Sequence, residues 1–245
     1  MELSFKYIYN IMTTSICYIT SIFGTNFKNI KPCPVNHHSY FFTNNVNLKK
    51  TIISNGWNFY YVNMPLSNEL LTCSLQSKYI KFLIFLKDFP EFKKKYKKIL
   101  YFDHKYYLSY TNQVKLVNQI FNQYPNHIFI VRGHKDPTRK LKREIKYSKK
   151  QPRYALNIEK TINFLIMMNK YKNCFFNAPV YLTGIIFYNN IEKSLEITQQ
   201  VYNLCIEHQQ PQCQIYFAAI IHHEKYLGKW KSFPYRRHKF IHIKE

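Results

Sequence analysis

Residues Ser77 to Tyr110 read SKYIKFLIFLKDFPEFKKKYKKILYFDHKYYLSY. A helix-like segment passes through a basic connector into the apolar run Ile99 to Phe102, and that run stops on Asp103. Open α/β sheets meet their ligands at the carboxyl ends of their strands, so an acid placed where a buried strand ends faces whatever the protein binds. On this ground Asp103 is the first candidate for a functional residue.

Upstream, ICYITSIFG (Ile16 to Gly24) reads as a buried strand stopped by glycine, YFFTNN (Tyr40 to Asn45) as a second strand, and WNFYYV (Trp57 to Val62) as a third. KPCP (Lys31 to Pro34) imposes an extended connector, because proline removes a donor and restricts the residue before it. With a helix near Leu48 to Ser54, the order strand, loop, strand, helix, strand is an α/β rhythm. Pro65 and Ser67 then predict a helix of about 20 residues with Ser67 as its cap. Lys78 and Lys81 fall with Leu70, Leu71, Ser74 and Phe82 near one face of it. Taken alone, Lys81 reads as a snorkelling side chain, its stem on the core and its amine in water.

Downstream, Asn112 to Phe121 has helical spacing and HIFIV (His127 to Val131) is a strand closed by Gly133. The charged stretch that follows carries two scarce acids, Asp136 and Glu144, and Asp136-Pro137 is a helix-start signal that puts Arg139 and Glu144 in one helix. Ala155 to Tyr171 is helical. After Pro179, VYLTGIIFYNN is a strand whose Gly184 marks a close approach to the backbone. Ile191 to His208 is an amphipathic helix broken by Pro211, and Gln214 to His222 resumes one. No repeat or low-complexity linker interrupts this, so the chain reads as a lead-in over 1–15 and one domain over 16–245.

A chain of 245 residues with 46% hydrophobic and 18% aromatic residues supports a sizeable core and excludes intrinsic disorder, despite a net charge of +23. The charge reflects missing acids as much as abundant lysine: only Asp88, Asp103 and Asp136 represent Asp. Abundant Asn, Lys, Ile and Tyr suggest an AT-rich genome, which inflates lysine without selection for nucleic-acid binding. Six cysteines without a C-x-x-C pair argue against a zinc module and fit free thiols. Ile16 to Phe23 is too short for a signal h-region, and no run approaches the roughly 20 apolar residues of a membrane span. A soluble, cytoplasmic protein is the expectation.

The order of Ile19 to Gly24, Tyr40 to Asn45 and Gly56-Trp57 resembles the opening of the TOD/MUCI-like glycosyltransferase-like domain. Ser77 to Lys81 with Ile99 to Lys105 looks like the same domain's basic helix and acid-ended strand. His134, Arg139 and Glu144 fit its His-Pro-Arg-then-Glu segment, Leu182 to Tyr188 its glycine-containing strand, and Gln214 its Asp-Gln pair. More distantly the pattern is similar to retaining glycosyltransferases of the glycogenin and galactosyltransferase type. The resemblance runs in order over residues 16 to 242.

It implies a GT-A-like (Rossmann-like) α/β fold with a mixed, mostly parallel sheet flanked by helices, a nucleotide-diphosphate-sugar donor, and a glycan, protein or lipid acceptor. On that reading Asp103 positions the donor ribose or sugar and Glu144 serves as base for the acceptor. Lys81, Lys105, Arg139, Arg153 and Gln214 bind the donor, where charge on the leaving diphosphate is what catalysis must meet. Mn2+ or Mg2+ would be held by Asp103, His104 and His238. Two departures stand out. The Asp-x-Asp pair that suits such a cation is absent, its third position being Lys105, and Cys213 replaces the acid of the Asp-Gln pair. A lysine ammonium there neutralises a diphosphate as a point charge. Two other classes compete: a catalytically silent member of the same fold, favoured by Cys213, and a nucleic-acid-binding protein using aromatics interleaved with lysine, against which the dispersed basic residues count.

Overall fold

The computed structural model describes residues 16–25, 29–107, 112–136, 138–171, 175–233 and 241–242. Seven strands form one sheet: β1 Ile16–Ser21, β2 Ser39–Thr43, β3 Asn58–Tyr61, β4 Lys98–Phe102, β6 Phe129–Gly133, β7 Tyr181–Tyr188 and β8 Trp230–Phe233. Their order across the sheet is β3-β2-β1-β4-β7-β6-β8. β7 runs antiparallel to both its neighbours, while β1, β2, β3 and β4 are mutually parallel and β6 is parallel to β8. The short strands β5 Tyr106–Tyr107 and β9 Ile241–His242 pair separately. The expected mixed, mostly parallel α/β sheet flanked by helices is what the chain forms.

β1 is buried at every residue, which explains why it reads as a continuous apolar run rather than an alternation. Alternate residues still serve opposite faces. Ile19 and Tyr101 enter one cluster with Phe82, Phe85, Val201 and Phe217; Tyr18, Leu100 and Phe102 enter the other with Ile52, Val117 and Phe121. Helices therefore cover both faces: α1 Lys49–Ser54 and α4 Asn112–Gln123 on one side, α2 Leu70–Lys81, α8 Ile191–Glu207 and α9 Cys213–Ile221 on the other, with α3 Glu91–Lys95 leading into β4. A satellite cluster joins α5 Leu141–Ser148 and α7 Ile158–Tyr171 to α9, with the one-turn helix α6 Pro152–Ala155 between them.

Three helix starts differ from the sequence expectation: the helix expected from Ala155 begins at Ile158 as α7, Ala155 ending α6 instead, and α2 and α5 start later than their cap signals. α2 has 12 residues and begins at Leu70 behind Glu69, with no side-chain cap. Ser67 stays outside because its carbonyl accepts from Thr25 N and Cys73 Sγ, while Pro65 O accepts from Asn44 and Gln76. Thr25 and Asn44 from earlier in the chain, with Cys73 and Gln76 of α2 itself, hold the lead-in outside the helix. At the other end Leu83, at φ 64, turns the chain away, and Tyr188 Oη and Thr198 Oγ1 donate to the carbonyls of Lys81 and Phe82.

α5 likewise begins at Leu141, leaving Arg139 outside the helix that carries Glu144. Asp136 does not cap it: its side chain accepts from Thr138 N and Thr138 Oγ1 in a local turn, and Lys140 bridges to Pro179.

Candidate functional site

At the centre of the sheet β1 and β4 lie side by side, with the parallel strands β2 and β3 continuing one way and β7, β6 and β8 the other. Such a reversal of strand order opens a crevice at the carboxyl ends. A cavity of about 490 Å³ sits there, bordered by Ser21 at the end of β1, Asp103 after β4, the β7 residues Leu182 to Gly184, the inner face of α2 and the start of α9.

Asp103 is fixed by its backbone before its side chain. Its N–H donates to Gly184 O at 2.8 Å and its carbonyl accepts from Tyr106 N at 2.9 Å, closing a tight turn, while Thr20 Oγ1 donates to Phe102 O at 2.7 Å. Gly184 is where β7 leaves regular pairing with β6: Val131 faces Ile186 but Arg132 faces Leu182. A Cβ on Gly184 would lie 2.6 Å from Tyr106 Cε2 and 3.0 Å from Asp103 Oδ2. The close approach expected from sequence is thus made by Tyr106 and Asp103 themselves.

The carboxylate meets α2. Asp103 Oδ1 accepts from Tyr101 Oη at 2.8 Å and lies 3.0 Å from Lys81 Nζ; Oδ2 lies 3.8 Å from Lys105 Nζ. Burial works against ionising Asp103, but Lys81 and Lys105 outweigh it and hold the carboxyl well below the usual carboxylate range. Burial likewise works against the Lys81 ammonium, and Asp103 reverses the effect, keeping it charged above the ordinary lysine range. Lys81 is 4% exposed, so the snorkelling reading does not hold.

Lys78 stands one turn before Lys81 on the same face and also lines the cavity. Only 7% exposed, its ammonium makes no hydrogen bond or ion pair within 4 Å among the described residues, and burial pulls its pKa down. The Ser21 hydroxyl, at the cavity's edge, is likewise buried without a partner among the described residues. The sequence does not mark Lys78 as a site residue; its one signal there is the spacing of three from Lys81, which puts both lysines on one face of the helix.

Glu144 reaches the cavity wall already engaged. Arg139 Nε donates to its Oε2 at 2.5 Å and Gln212 Nε2 to its Oε1 at 2.6 Å. Arg139 is behind the wall, its guanidinium 4.3 Å from the Tyr147 ring centroid. His104, Lys105, Arg153, Cys213 and Gln214 line the cavity, and Arg153 is exposed, 4.5 Å over Tyr154. The five described cysteines are free thiols, Cys213 among them, its Sγ 3.5 Å from Thr183 Oγ1. His238 lies outside the described residues.

Among the described residues, the donors around Asp103 do not fit a divalent cation. Among the described residues no three His, Cys, Asp or Glu side chains gather to hold one, and Asp103 already faces two ammonium groups that would repel it. Four basic side chains line the cavity, Lys78, Lys81, Lys105 and Arg153, against two acids. With Asp103 matched by Lys81 and Glu144 by Arg139, positive charge is left in surplus. The arrangement suits an anion. Among the described residues no helix is long and apolar enough to cross a membrane.

No family model matches the chain, and no curated protein matches it. Among solved structures, a glycosyltransferase involved in the glycosylation of the major capsid of PBCV-1 is similar over 89% of this chain and 82% of its own, at 16% identity and a TM-score of 0.43. Mouse xyloside xylosyltransferase 1, apo form, is similar over 89% of this chain and 85% of its own, at 9% identity and a TM-score of 0.45.

Proposed function

We propose that the chain is a glycosyltransferase whose cavity takes a nucleotide-diphosphate-sugar donor, so that a sugar passes from that donor to a glycan, protein or lipid acceptor. The observation that carries this reading is the cation-rich cavity at the reversal point of an open, mostly parallel sheet, with Asp103 fixed at its floor. The order of sequence motifs resembling the TOD/MUCI-like domain supports it.

Each side chain then has a part. Lys81 and Tyr101 occupy Oδ1 of Asp103, which leaves Oδ2 to accept from a hydroxyl of the donor's ribose or sugar. Lys105 and Arg153 lie on the open side, where they meet charge that grows on the leaving diphosphate as the anomeric C–O bond breaks. Gln214 supplies a neutral polar contact. Glu144, with both oxygens engaged, positions the segment carrying Gln212 and Gln214 in preference to acting as base.

A second reading, a silent member of the same fold that binds a donor without turning it over, rests on Cys213 in place of an acid in the cavity wall. Thermal unfolding against a panel of UDP-, GDP- and CMP-sugars at fixed moderate salt tests both. Saturation at about a hundred times Kd adds about 2.7 kcal/mol, a rise of roughly 5 °C or more for a chain of this size. A rise specific to one donor and lost in Asp103→Ala supports the site, and release of the nucleotide over time separates the active from the silent reading. No rise with any donor, together with RNA binding that falls steeply with salt, would defeat both.

A further inference from the structure

Resting on the donor reading, we infer that Lys78 is the principal contact to the donor's diphosphate and that this chain binds a nucleoside diphosphate without a divalent cation. The metal expected from the family pattern needs oxygen ligands of negative charge. This cavity presents the reverse. The position that would complete an Asp-x-Asp pair is Lys105, whose ammonium lies 3.8 Å from Asp103 Oδ2, and Lys81 Nζ lies 3.0 Å from Oδ1. A cation brought to Asp103 would displace or oppose both.

Lys78 is the second, independent observation. A buried ammonium is costly unless something pairs with it, and proteins rarely leave one alone. Lys81 has Asp103 and Arg139 has Glu144, whereas Lys78 has no ion pair among the described residues and its side chain borders the cavity. Its counterion is therefore to be sought in the ligand. The diphosphate bridge of a nucleotide sugar carries one negative charge on each phosphate, and Lys78 from α2 and Lys105 from the turn after β4, both lining the cavity, supply matching charge without the geometry a metal imposes. The Ser21 hydroxyl, also without a partner among the described residues, stands at the end of β1 beside the same space.

The test is titration calorimetry of the full chain with uridine, guanosine and cytidine diphosphates, in EDTA and again with Mn2+. The expected result is binding of one nucleotide in EDTA with a Kd that changes less than about threefold on adding Mn2+. Lys78→Met weakens it at least ~10-fold, and Lys78→Arg restores most of the loss, since the charge is kept. Circular dichroism shows whether both variants fold, and Lys105→Met, which removes a side chain about half exposed, provides a second arm with a smaller loss. Binding that appears only with Mn2+ overturns the inference and leaves the donor reading standing. So does unchanged affinity in folded Lys78→Met. Failure of all three nucleotides to bind in both conditions overturns the donor reading and the inference together.

Discussion

Lys81 Nζ lies 3.0 Å from Asp103 Oδ1, and this contact ties the last turn of a helix to the end of a central strand inside a cavity wall. The lysine is nearly fully buried and the aspartate about three-quarters buried, so removing one partner leaves the other charge stranded. Lys81→Met is expected to cost about 2–4 kcal/mol in urea unfolding, and Asp103→Asn a similar amount. The double variant should cost clearly less than their sum, which a double-mutant cycle reads directly. The pH dependence follows from the same pair. Asp103 is depressed in the folded state, so its contribution is present above the unfolded value of about 3.9 and is lost as pH falls below it. Wild type should lose stability between about pH 4 and pH 2 more steeply than Asp103→Asn. Parallel curves would show that the pair does not stabilise the fold.

Gly184 is the other support of Asp103. An alanine there puts Cβ 2.6 Å from Tyr106 Cε2 and 3.0 Å from Asp103 Oδ2, so the ring, the carboxylate or the strand has to move. Tyr106 is buried in the core, which limits its retreat. Gly184→Ala should cost about 1–3 kcal/mol as overpacking does, and abolish donor-dependent stabilisation at the same donor concentration. Adding Tyr106→Leu removes the clashing ring atoms and should recover part of the stability. An alanine variant as stable as wild type would mean the strand yields freely.

Which of these features the sequence disclosed follows from how local their causes are. A strand buried on both faces writes itself as an unbroken apolar run, so β1 and β4 could be read, and Asp103 with them. Gly184 could be read because only a close neighbour calls for glycine inside such a run. The reversed direction of β7 could not, since alternation has no polarity. Nor could the start of α2, where Ser67 is the local cap signal but Asn44 and Thr25, from elsewhere in the chain, hold the lead-in extended. Lys78 and Lys81 look alike as letters. Only the position of Asp103 in space makes one of them a partner and leaves the other alone.

That unpaired ammonium makes a prediction about the empty protein. Burial lowers the Lys78 pKa, so the unfolded chain binds more protons than the folded one just below the ordinary lysine value of about 10.4. Stability from this group therefore rises as pH rises toward that value. Lys78→Met should stabilise the empty fold by about 1–2 kcal/mol at pH 7, because it replaces a desolvated charge with a chain of similar length. The gain should shrink when both proteins are unfolded at pH 9.5. A methionine variant less stable than wild type at pH 7 would indicate that the ammonium has a favourable environment after all.

Cys213 lines the same cavity as Lys78. Cys213→Asp should therefore be tolerated in wild type, where the new carboxylate finds a buried ammonium, and cost about 1–3 kcal/mol more in the Lys78→Met background, where it finds none. It should also lower donor affinity, since it supplies internally the counterion that the cavity otherwise takes from the ligand. Additive stability effects would show that the two side chains do not meet.

Glu144 links two parts of the wall that are far apart in sequence. Its carboxylate accepts from Arg139 Nε and from Gln212 Nε2, joining the start of α5 to the residue that leads into α9, next to Cys213 and Gln214. Glu144→Gln keeps the length and one acceptor but strands the Arg139 guanidinium, itself mostly buried. The expected cost is about 2–3 kcal/mol, and Arg139→Met should relieve part of it, since the charge left over is then gone. If Glu144 positions the segment rather than accepting a proton, Glu144→Gln should weaken donor binding measured without turnover, and the pH dependence of any transfer should be unchanged. An unaltered donor affinity with a lost acidic limb in the rate profile would return Glu144 to the role of base, because that limb is set by the deprotonation of the base.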